Sequence, residues 1–473
     1  MNPILPLHYS APDGEPHVWA SDPDTLYLYA SNDRTGGFGM DPWQHVWSTK
    51  DLQDWTEHRP GFDARQAVDF EDVQLLPASD CAEKDGRYYY YFTAAGKQCV
   101  AFSDRPEGPF LNARPIEGTD FPSCGDPAVF VDDDGSAYLY WGQFSLRGCR
   151  LKDNMYELEE ETLDTMLITE DGHGFHEGSS MRKRGDTYYL IYCDTDRGAA
   201  TCLSYAVSKS PLGPFEKRGV IIDNADCDLA SWNNHGSIVC FHDKWYIVYH
   251  RACFGIEMGG RKACIEPIQF DENGDIAEVK MTTQGAEGPI DALRRMDAYR
   301  ACCFHRESLS IHERSECDNF FWKVPVTGWR RTMLDNRMKG ARDVGVRSAH
   351  YVENGVHKEY LTKFTSGDAA VYRYLDFKDG VSRFTCSASN YLSSAKLEIH
   401  IDGPDGPCIG VCRIKDTNGF GPWNWRTFTC EVEPVKGVHE VCLKTYPDNQ
   451  FGGWLCDLEW FRFERGQEES RNV

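Results

Sequence analysis

Three acidic side chains occupy matching places in a repeating pattern and are the first candidates for chemistry. Asp13 lies in APDGEPHVW, Asp126 in SCGDPAVFVDDDG and Glu177 in FHEGSSM. Each opens a segment that runs outward through a turn into a strand rich in aromatic residues. If these segments meet, the carboxylates repel one another, and at least one pKa rises into the range that a general acid needs near neutral pH. Taken alone, each acid is also a common turn or strand-entry residue.

The strands that must position these acids recur along the first 290 residues. They start 49 to 62 residues apart, at Thr25, Arg87, Ser136, Thr187 and Lys244. Alternating β-formers that follow Gly or Asp turns predict half-buried strands. The motif S-x-x-P-x-G-P-F also occurs twice, at 103–110 and 208–215. A period near 50 residues in an all-β segment predicts a β-propeller, and five repeats predict five blades.

A second set of alternating segments follows, including KLEIHIDG, RTFTCEV, HEVCLKTY and LEWFRFE. Short strands of this kind between Gly, Pro and Asp turns predict a jelly-roll-like β-sandwich. The fold class is therefore all-β, a five-bladed β-propeller followed by a sandwich. The predicted boundaries are 1–295 for the propeller, 296–320 for a linker, 321–465 for the sandwich and 466–473 for a polar tail.

Charge and composition exclude several classes of partner. The 473 residues carry a net charge of −24, which opposes binding to nucleic acid or to an anionic membrane. The sequence contains no run of eighteen apolar residues, so no membrane span is predicted. The first residues do not resemble a signal peptide, and we therefore expect a cytoplasmic protein. The 19 cysteines include no CxxC pair. Free thiols in a reducing compartment are the favoured interpretation, with structural disulfides as the alternative.

Several motifs, in order, resemble glycoside hydrolase family 43, the five-bladed propeller glycosidases. They are NPILP, GDPAVFVDDDGSAYLYWG, HEGSSMRKRGDTYYLIY, SKSPLGPF and NNHGSIV, and they span about residues 1–290. The resemblance implies inversion at the anomeric carbon, which needs the two working carboxyls about 6.5–9.5 Å apart. It implies that Asp13 is the general base, Glu177 the general acid and Asp126 the residue that tunes and orients the acid.

Residues around these acids receive further roles from the same resemblance. Asp13 precedes Gly14, where the family usually has proline, and Glu15 is a local competitor because residues two apart share a face of a strand. The spacing to His17-Val18 favours Asp13. Arg261 matches the family arginine that binds a sugar hydroxyl, with Arg251 as the fallback.

The family resemblance also implies that His235 points into the central channel, often beside a calcium ion with water ligands. A core histidine is the alternative. Candidates to pack on the apolar face of the sugar, each of which can equally be a core residue, are Trp43, Phe175 and Trp232.

The C-terminal part resembles a family 6 carbohydrate-binding module, in which two aromatics and an asparagine commonly hold a sugar. Trp423 is a candidate for one of the aromatics. Lys363 stands where a tyrosine is frequent, and Asp457 where an asparagine is frequent. Since a lysine offers no flat apolar face, a structural sandwich that supports the propeller is the favoured interpretation over independent sugar binding.

Together these features predict an inverting exo-glycosidase acting on plant-derived pentosides, as an α-L-arabinofuranosidase, a β-D-xylosidase or both. The expected partner is an oligosaccharide or polysaccharide such as xylan, and Ca²⁺ is the only cofactor that the resemblance suggests. The alternative is a carbohydrate-binding propeller without turnover. The presence of all three acids favours the enzyme.

Overall fold

The computed structural model describes residues 1–6, 8–33, 40–67, 76–120, 125–227, 233–251, 260–306, 346–449 and 453–465. The described chain is almost entirely β and begins with five antiparallel sheets, each built from strands in sequence order. The first two sheets contain β1 (Glu15–Trp19), β2 (Asp22–Tyr29), β3 (Trp43–Thr49), β4 (Thr56–Asp63), β5 (Ser79–Lys84), β6 (Arg87–Ala94), β7 (Lys97–Ser103) and β8 (Leu111–Pro115). The next two contain β9 (Ala128–Val131), β10 (Ala137–Trp141), β11 (Ser145–Leu151), β12 (Asp164–Thr169), β13 (Phe175–Arg184), β14 (Thr187–Asp194), β15 (Cys202–Ser208) and β16 (Glu216–Asp223). The fifth contains β17 (Ser237–Phe241), β18 (Lys244–Arg251) and β19 (Lys262–Ile268).

The first strands of the five sheets close a ring, as the predicted propeller requires. Strands β1, β5, β9, β13 and β17 contact one another in that order, and β17 returns to β1. A parallel bridge between Gly14 and Gly236 joins the first and last blades. Because the candidate acids precede or lie in three of these inner strands, the topology brings them towards one axis.

The predicted aromatic segments are the second strand of every blade, where they are buried between neighbouring sheets. A separate apolar core fills the space between each pair of adjacent blades. Tyr29, Tyr140, Tyr192 and Tyr249 are among the largest fully buried side chains. Burying these rings fixes the angle between blades, because packed interiors tolerate little change in volume.

Helical structure in the described residues is confined to short turns. The two α-helical turns are α1 (Ala64–Ala67) and α2 (Glu170–His173). Short 3-10 turns lie at Glu160–Thr162, Gly285–Glu287, Ala298–Arg300 and Pro422–Asn424. No helix among the described residues is long and apolar enough to cross a membrane.

The C-terminal domain is a sandwich of two six-stranded sheets, as predicted. One sheet contains β20 (Ile290–Asp291), β22 (Cys303–Arg306), β25 (Asp368–Asp376), β27 (Ala395–Ile401), β28 (Cys408–Ile414) and β30 (Val438–Pro447). The other contains β21 (Met296–Asp297), β23 (Arg347–Glu353), β24 (Val356–Phe364), β26 (Val381–Ser389), β29 (Arg426–Val435) and β31 (Cys456–Glu464). Their inner faces enclose one apolar core.

Residues 290–306 differ from the prediction of a propeller end and a linker from 296. Strands β20 and β22 pair with β25, and β21 pairs with β31, so this stretch belongs to the two sandwich sheets. Its strands are only two to four residues long, too short for alternation to be visible in the sequence. The remainder of the predicted linker, 307–320, lies outside the described residues, and the other domain boundaries stay predictions.

The propeller and the sandwich share a core. Apolar residues of blades four and five pack with Cys302 and Cys303 and with Val371 and Cys442 of the sandwich. The described cysteines are all free thiols, and most are buried. The two domains therefore meet through a packed apolar surface.

Candidate active site

Asp13 lies two residues before β1 and is clamped by an arginine. Nη1 of Arg261 donates to Oδ1 of Asp13 over 3.0 Å, and Nη2 donates to Oδ2 over 3.3 Å. Both side chains are buried. Burial opposes ionisation of the Asp13 carboxyl, but the charge of Arg261, together with His235, His250 and the side chain of Ser31, lowers the pKa of Asp13 to about 2. Asp13 is therefore ionised at neutral pH.

A second buried carboxylate, Asp33, fixes the arginine from the other side. Arg261 donates to it from Nε over 3.0 Å, from Nη2 over 2.9 Å and from its backbone N–H over 3.1 Å. Burial raises the pKa of Asp33, while Arg261 acts in the opposite direction. Asp33 was not among the sequence candidates, because it lies in an irregular segment outside the repeats. The two carboxylates hold the guanidinium in one orientation.

Two histidines flank Asp13. Nδ1 of His235 lies 3.7 Å from Oδ1 of Asp13, so the structure places this predicted residue inside the ring. Nδ1 of His250 accepts a hydrogen bond from the backbone N–H of Asp13 over 3.3 Å, which places its proton on Nε2. Burial, followed by repulsion from Arg261, lowers the pKa of His250 to about 3. His250 is neutral here and orients the backbone of Asp13.

Asp126 and Glu177 form a second carboxyl pair beside Asp13. The backbone N–H of Gly178 donates to the Asp126 carboxylate, which is enclosed by protein although part of its surface stays accessible. Burial, then repulsion from Glu177 and Asp13, raises the pKa of Asp126 well above its ordinary value. Burial and the like charges nearby therefore favour the protonated form of Asp126.

The peptide that follows Glu177 connects this pair to the histidine. A Cβ added at Gly178, where φ is +65°, would lie 2.9 Å from Cγ of His235, so only glycine allows this approach. Glu177 itself is half-buried and accepts a hydrogen bond from Nε2 of Gln143 over 2.7 Å. The three predicted acids thus share one site with Arg261. The negative charge of Glu177 also raises the pKa of Arg261.

An irregularity in β13 separates Glu177 from the predicted aromatic platform Phe175. The pairing of β13 with β14 shifts register between these two residues and again after Glu177. Such bulges re-aim side chains. Phe175 is fully buried in the core between blades three and four, 5.8 Å from the Tyr192 ring centroid, so its predicted contact with sugar is wrong.

Glu15, the competitor of Asp13, is committed to other partners within the ring. Its Oε2 accepts hydrogen bonds from Ser180 Oγ and Arg182 Nη2, both over 2.9 Å. Its Oε1 is buried 3.8 Å from Nε2 of His235 and has no hydrogen-bond partner within the part of the chain that the structure describes. Burial, then repulsion from Asp80, raises the pKa of Glu15 to about 7, although Arg182 acts against the rise.

The remaining sequence candidates lie elsewhere. Trp43 is half-buried at the start of β3 and stacks on His45 at 4.6 Å, and no described contact joins it to the three acids. Arg251, the fallback arginine, is buried against Cys264 and the carbonyl of Ala301. Trp232 lies outside the described residues.

Among the described residues of the sandwich, the aromatic rings near Asp457 do not form an open pair. The rings of Phe420 and Trp454 stack on each other, with centroids 4.0 Å apart and planes 7° from parallel. Asp457 is buried and accepts hydrogen bonds from Trp454 Nε1 and the backbone N–H of Lys363. Trp423, in the 3-10 turn Pro422–Asn424, is 77% exposed. A sugar cannot enter between rings in contact, because it needs both faces.

Comparison with known proteins identifies the chain. The family model of the glycosyl hydrolases family 43 matches residues 1–276, more than half of the sequence. The chain belongs to this family. The model of the family 6 carbohydrate binding module matches residues 340–465 of this family 43 protein. Both resemblances noted from the sequence are confirmed, and the chain is a glycoside hydrolase.

Relatives match the family 43 chain over both domains. A xylosidase/arabinosidase of Thermoclostridium stercorarium is 33% identical over 93% of this chain and 94% of its own length. An arabinoxylan arabinofuranohydrolase of Bacillus subtilis is 25% identical over 93% of this chain and 88% of its own.

Two solved structures support the fold. One is a Bacillus subtilis arabinoxylan arabinofuranohydrolase in complex with cellotetraose, which has a TM-score of 0.51 at 21% identity and covers 98% of this chain and 97% of that one. The other is a calcium-free β-xylosidase/α-arabinofuranosidase from a compost metagenome in complex with xylotriose. It has a TM-score of 0.51 at 28% identity and covers 59% of this chain and 97% of that one.

Proposed function

We propose that this chain is an inverting exo-glycosidase that releases α-L-arabinofuranosyl or β-D-xylosyl groups from plant polysaccharides such as xylan, or from their oligosaccharides. The observation that carries the proposal is the meeting of Asp13, Asp126 and Glu177 beside Arg261. The names of the relatives, xylosidase/arabinosidase and arabinofuranohydrolase, support the choice of pentosides.

In this proposal Asp13 is always ionised, whereas Asp126 and Glu177 share a proton. Asp13 is ionised and accepts the proton of the water that attacks the anomeric carbon. Glu177, which accepts a hydrogen bond from Gln143, delivers the proton shared by this carboxyl pair to the leaving oxygen. Asp126 keeps that proton in place by repulsion.

Arg261 has a double role in the proposal. Its four hydrogen bonds to Asp13 and Asp33 fix the base. Its positive charge also offsets the mutual repulsion of the three acids. A sugar hydroxyl that draws Nη2 of Arg261 away from Asp13 would make Asp13 a stronger base once substrate is bound.

We further propose that the ring holds a calcium ion beside His235. Calcium prefers oxygen ligands, and the unpartnered buried Oε1 of Glu15 near Nε2 of His235 fits a cation. Glu15 and His235 would hold the ion, which would supply positive charge to the acid cluster. Calorimetric titration with Ca²⁺, compared with the Glu15→Gln variant, tests this site.

The free thiols support a reducing compartment such as the cytoplasm, which also stays a proposal.

The experiment that tests the function uses the full chain on a panel of aryl pentosides and hexosides, with proton NMR of the first anomer released. We expect cleavage of an arabinofuranoside or xyloside with inverted configuration. Asp13→Asn should remove turnover, whereas Glu15→Gln should retain measurable turnover. Retained configuration, or binding of sugars without any cleavage, would contradict the proposal, and an active Asp13→Asn variant would move the base to Glu15.

A further inference from the structure

A buried ion pair joins the sandwich to the strand that carries the active-site arginine. Nζ of Lys262, the first residue of β19, donates to Oε1 of Glu359 in β24 of the sandwich. The Lys262 side chain is 3% exposed and that of Glu359 is fully buried. Two opposite charges removed from water in this way hold their geometry firmly, because separating them leaves a charge without this partner in a low-dielectric interior.

Lys262 follows Arg261 directly, so the two side chains leave the backbone on opposite sides. On one side, the guanidinium of Arg261 reaches Asp13 and Asp33 in the propeller. On the other side, the ammonium of Lys262 reaches Glu359 in the sandwich. The dipeptide is therefore held between the active site and the second domain.

The backbone of the same dipeptide is fixed at neighbouring points within the propeller. The carbonyl of Arg261 accepts a hydrogen bond from the N–H of Ala11 over 3.1 Å. The carbonyl of Ala263 accepts one from the N–H of Ile4 over 3.0 Å. The first of these bonds holds the peptide between Arg261 and Lys262 itself, and Asp33 holds the backbone N–H of Arg261. The side-chain anchors then fix the directions of the two side chains that leave this backbone.

Glu359 is itself held by the sandwich. Oγ of Ser348, on the paired strand β23, lies 3.5 Å from its Oε2, and the ring centroid of Tyr299 lies 5.9 Å from Nζ of Lys262. The apolar core shared by both domains packs the other sandwich sheet against blades four and five, and Leu361 and Phe364 of β24 pack in the internal core of the sandwich. Glu359 thus offers a fixed anchor rather than a mobile counter-charge.

We propose that Glu359 is a positioning residue for the active site: through Lys262 it sets the direction of Arg261, and through Arg261 that of Asp13. The inference rests on the proposed function, in which Asp13 activates water. It assigns the sandwich a catalytic support role that does not depend on sugar binding by that domain. A displacement of about 1 Å in a catalytic group costs on the order of a hundredfold in rate.

The same hairpin supplies a matched control. Lys358 pairs with Glu353 at the other side of the β23–β24 hairpin, but these side chains are 34% and 42% exposed. Exposed pairs contribute little to stability and, at this site, contact no residue of the active site. Glu353→Gln repeats the chemical change of Glu359→Gln without touching Lys262.

The test compares Glu359→Gln, Glu353→Gln and the double variant Lys262→Gln/Glu359→Gln in the full chain, at a temperature where circular dichroism shows each to be folded. We expect Glu359→Gln to lower kcat by about tenfold or more with KM changed less than about threefold, because orientation of the base is lost while the sugar pocket remains. Glu353→Gln should match the native chain. The double variant, in which two amides can pair, should recover part of kcat.

Two results would overturn the inference. One is a folded Glu359→Gln variant with native kcat and a lowered melting temperature, which would make the ion pair structural only. The other is an equal loss of kcat in Glu353→Gln. If Glu359→Gln does not fold, kcat of the double variant is compared with that of the native chain, and a fully native kcat in the double variant would overturn the inference. Native turnover of an aryl pentoside and its loss in Asp13→Asn are measured first, so failure of the proposed function is recognised separately.

Discussion

Arg261 and Asp13 form a buried ion pair in which Nη1 donates to Oδ1 over 3.0 Å, and this contact sets the charge state of the site. Burial disfavours the charged form of Asp13, and Arg261 makes the largest of the contributions that lower its pKa. With Arg261 in place, Asp13 is an anion, whereas burial and the charges of Glu177 and Asp13 favour the protonated form of Asp126. The guanidinium of Arg261 therefore helps to give the proposed base a different charge state from the proposed acid pair.

The first prediction concerns Arg261→Gln. Removal of the positive charge leaves burial dominant, so the pKa of Asp13 rises from about 2. Since the base must be ionised, the acid limb of the kcat/KM profile should move to higher pH, by about one to three pH units. The measurement is kcat/KM on an activated aryl pentoside across the acid range. Arg59→Gln, at an exposed arginine, is the control, and an unmoved acid limb would separate Asp13 from the rate.

The second prediction concerns Asp126→Asn. In the native chain, burial and the charges of Glu177 and Asp13 raise the pKa of Asp126, so that the pair holds its proton to higher pH. The variant removes one of the two repelling carboxylates, and the proton should leave at lower pH. The alkaline limb of kcat/KM should therefore move downward while the acid limb stays in place. An alkaline limb that stays or moves upward would contradict a tuning role for Asp126.

Much of the fold was predictable because the propeller repeats one pattern. The five aromatic segments became the second strand of each blade, and the three acids came together because they precede or lie in inner strands. Phe175 failed as a prediction because a register shift in β13 turns it into the core, and no sequence signal marks that bulge.

The supporting residues of the site could not be predicted for a related reason. Asp33 and Gln143 contact Arg261 and Glu177 from irregular segments, where position along the chain does not fix direction. His250 ends a predicted strand, but its contact with the backbone of Asp13 spans 237 residues and depends on ring closure. The Lys262–Glu359 pair depends on how two domains pack, which neither domain shows alone.

The third prediction concerns Glu177→Gln. The variant cannot protonate a leaving oxygen, which matters most when the leaving group is a poor one. We expect hydrolysis of xylo-oligosaccharides to fall by about 10²–10⁴-fold, with a much smaller loss on aryl pentosides whose leaving group departs without a proton. Steady-state kinetics on both substrate classes measure the difference. Gln143→Ala, which keeps the carboxyl but removes its hydrogen-bond donor, should show a smaller loss.

An equal loss on both substrate classes in Glu177→Gln would contradict the role of proton donor. It would indicate instead that Glu177 binds the sugar or supports the fold. Circular dichroism and the melting temperature of the variant separate these two explanations, because a folded variant with a raised KM has lost binding.

The last prediction concerns the sandwich. Phe420 and Trp454 stack on each other, and Trp423 is the most exposed aromatic ring among the described residues of the sandwich. If the sandwich binds polymer, Trp423→Ala should weaken retention of the full chain in xylan-containing gels by about two- to tenfold, the worth of one aromatic contact. It should leave kcat on small aryl pentosides unchanged.

Leu392→Ala, at a residue 67% exposed, controls for loss of an apolar surface group without a ring. Equal retention of the native chain and of Trp423→Ala would show that the Trp423 ring does not contribute to polymer binding.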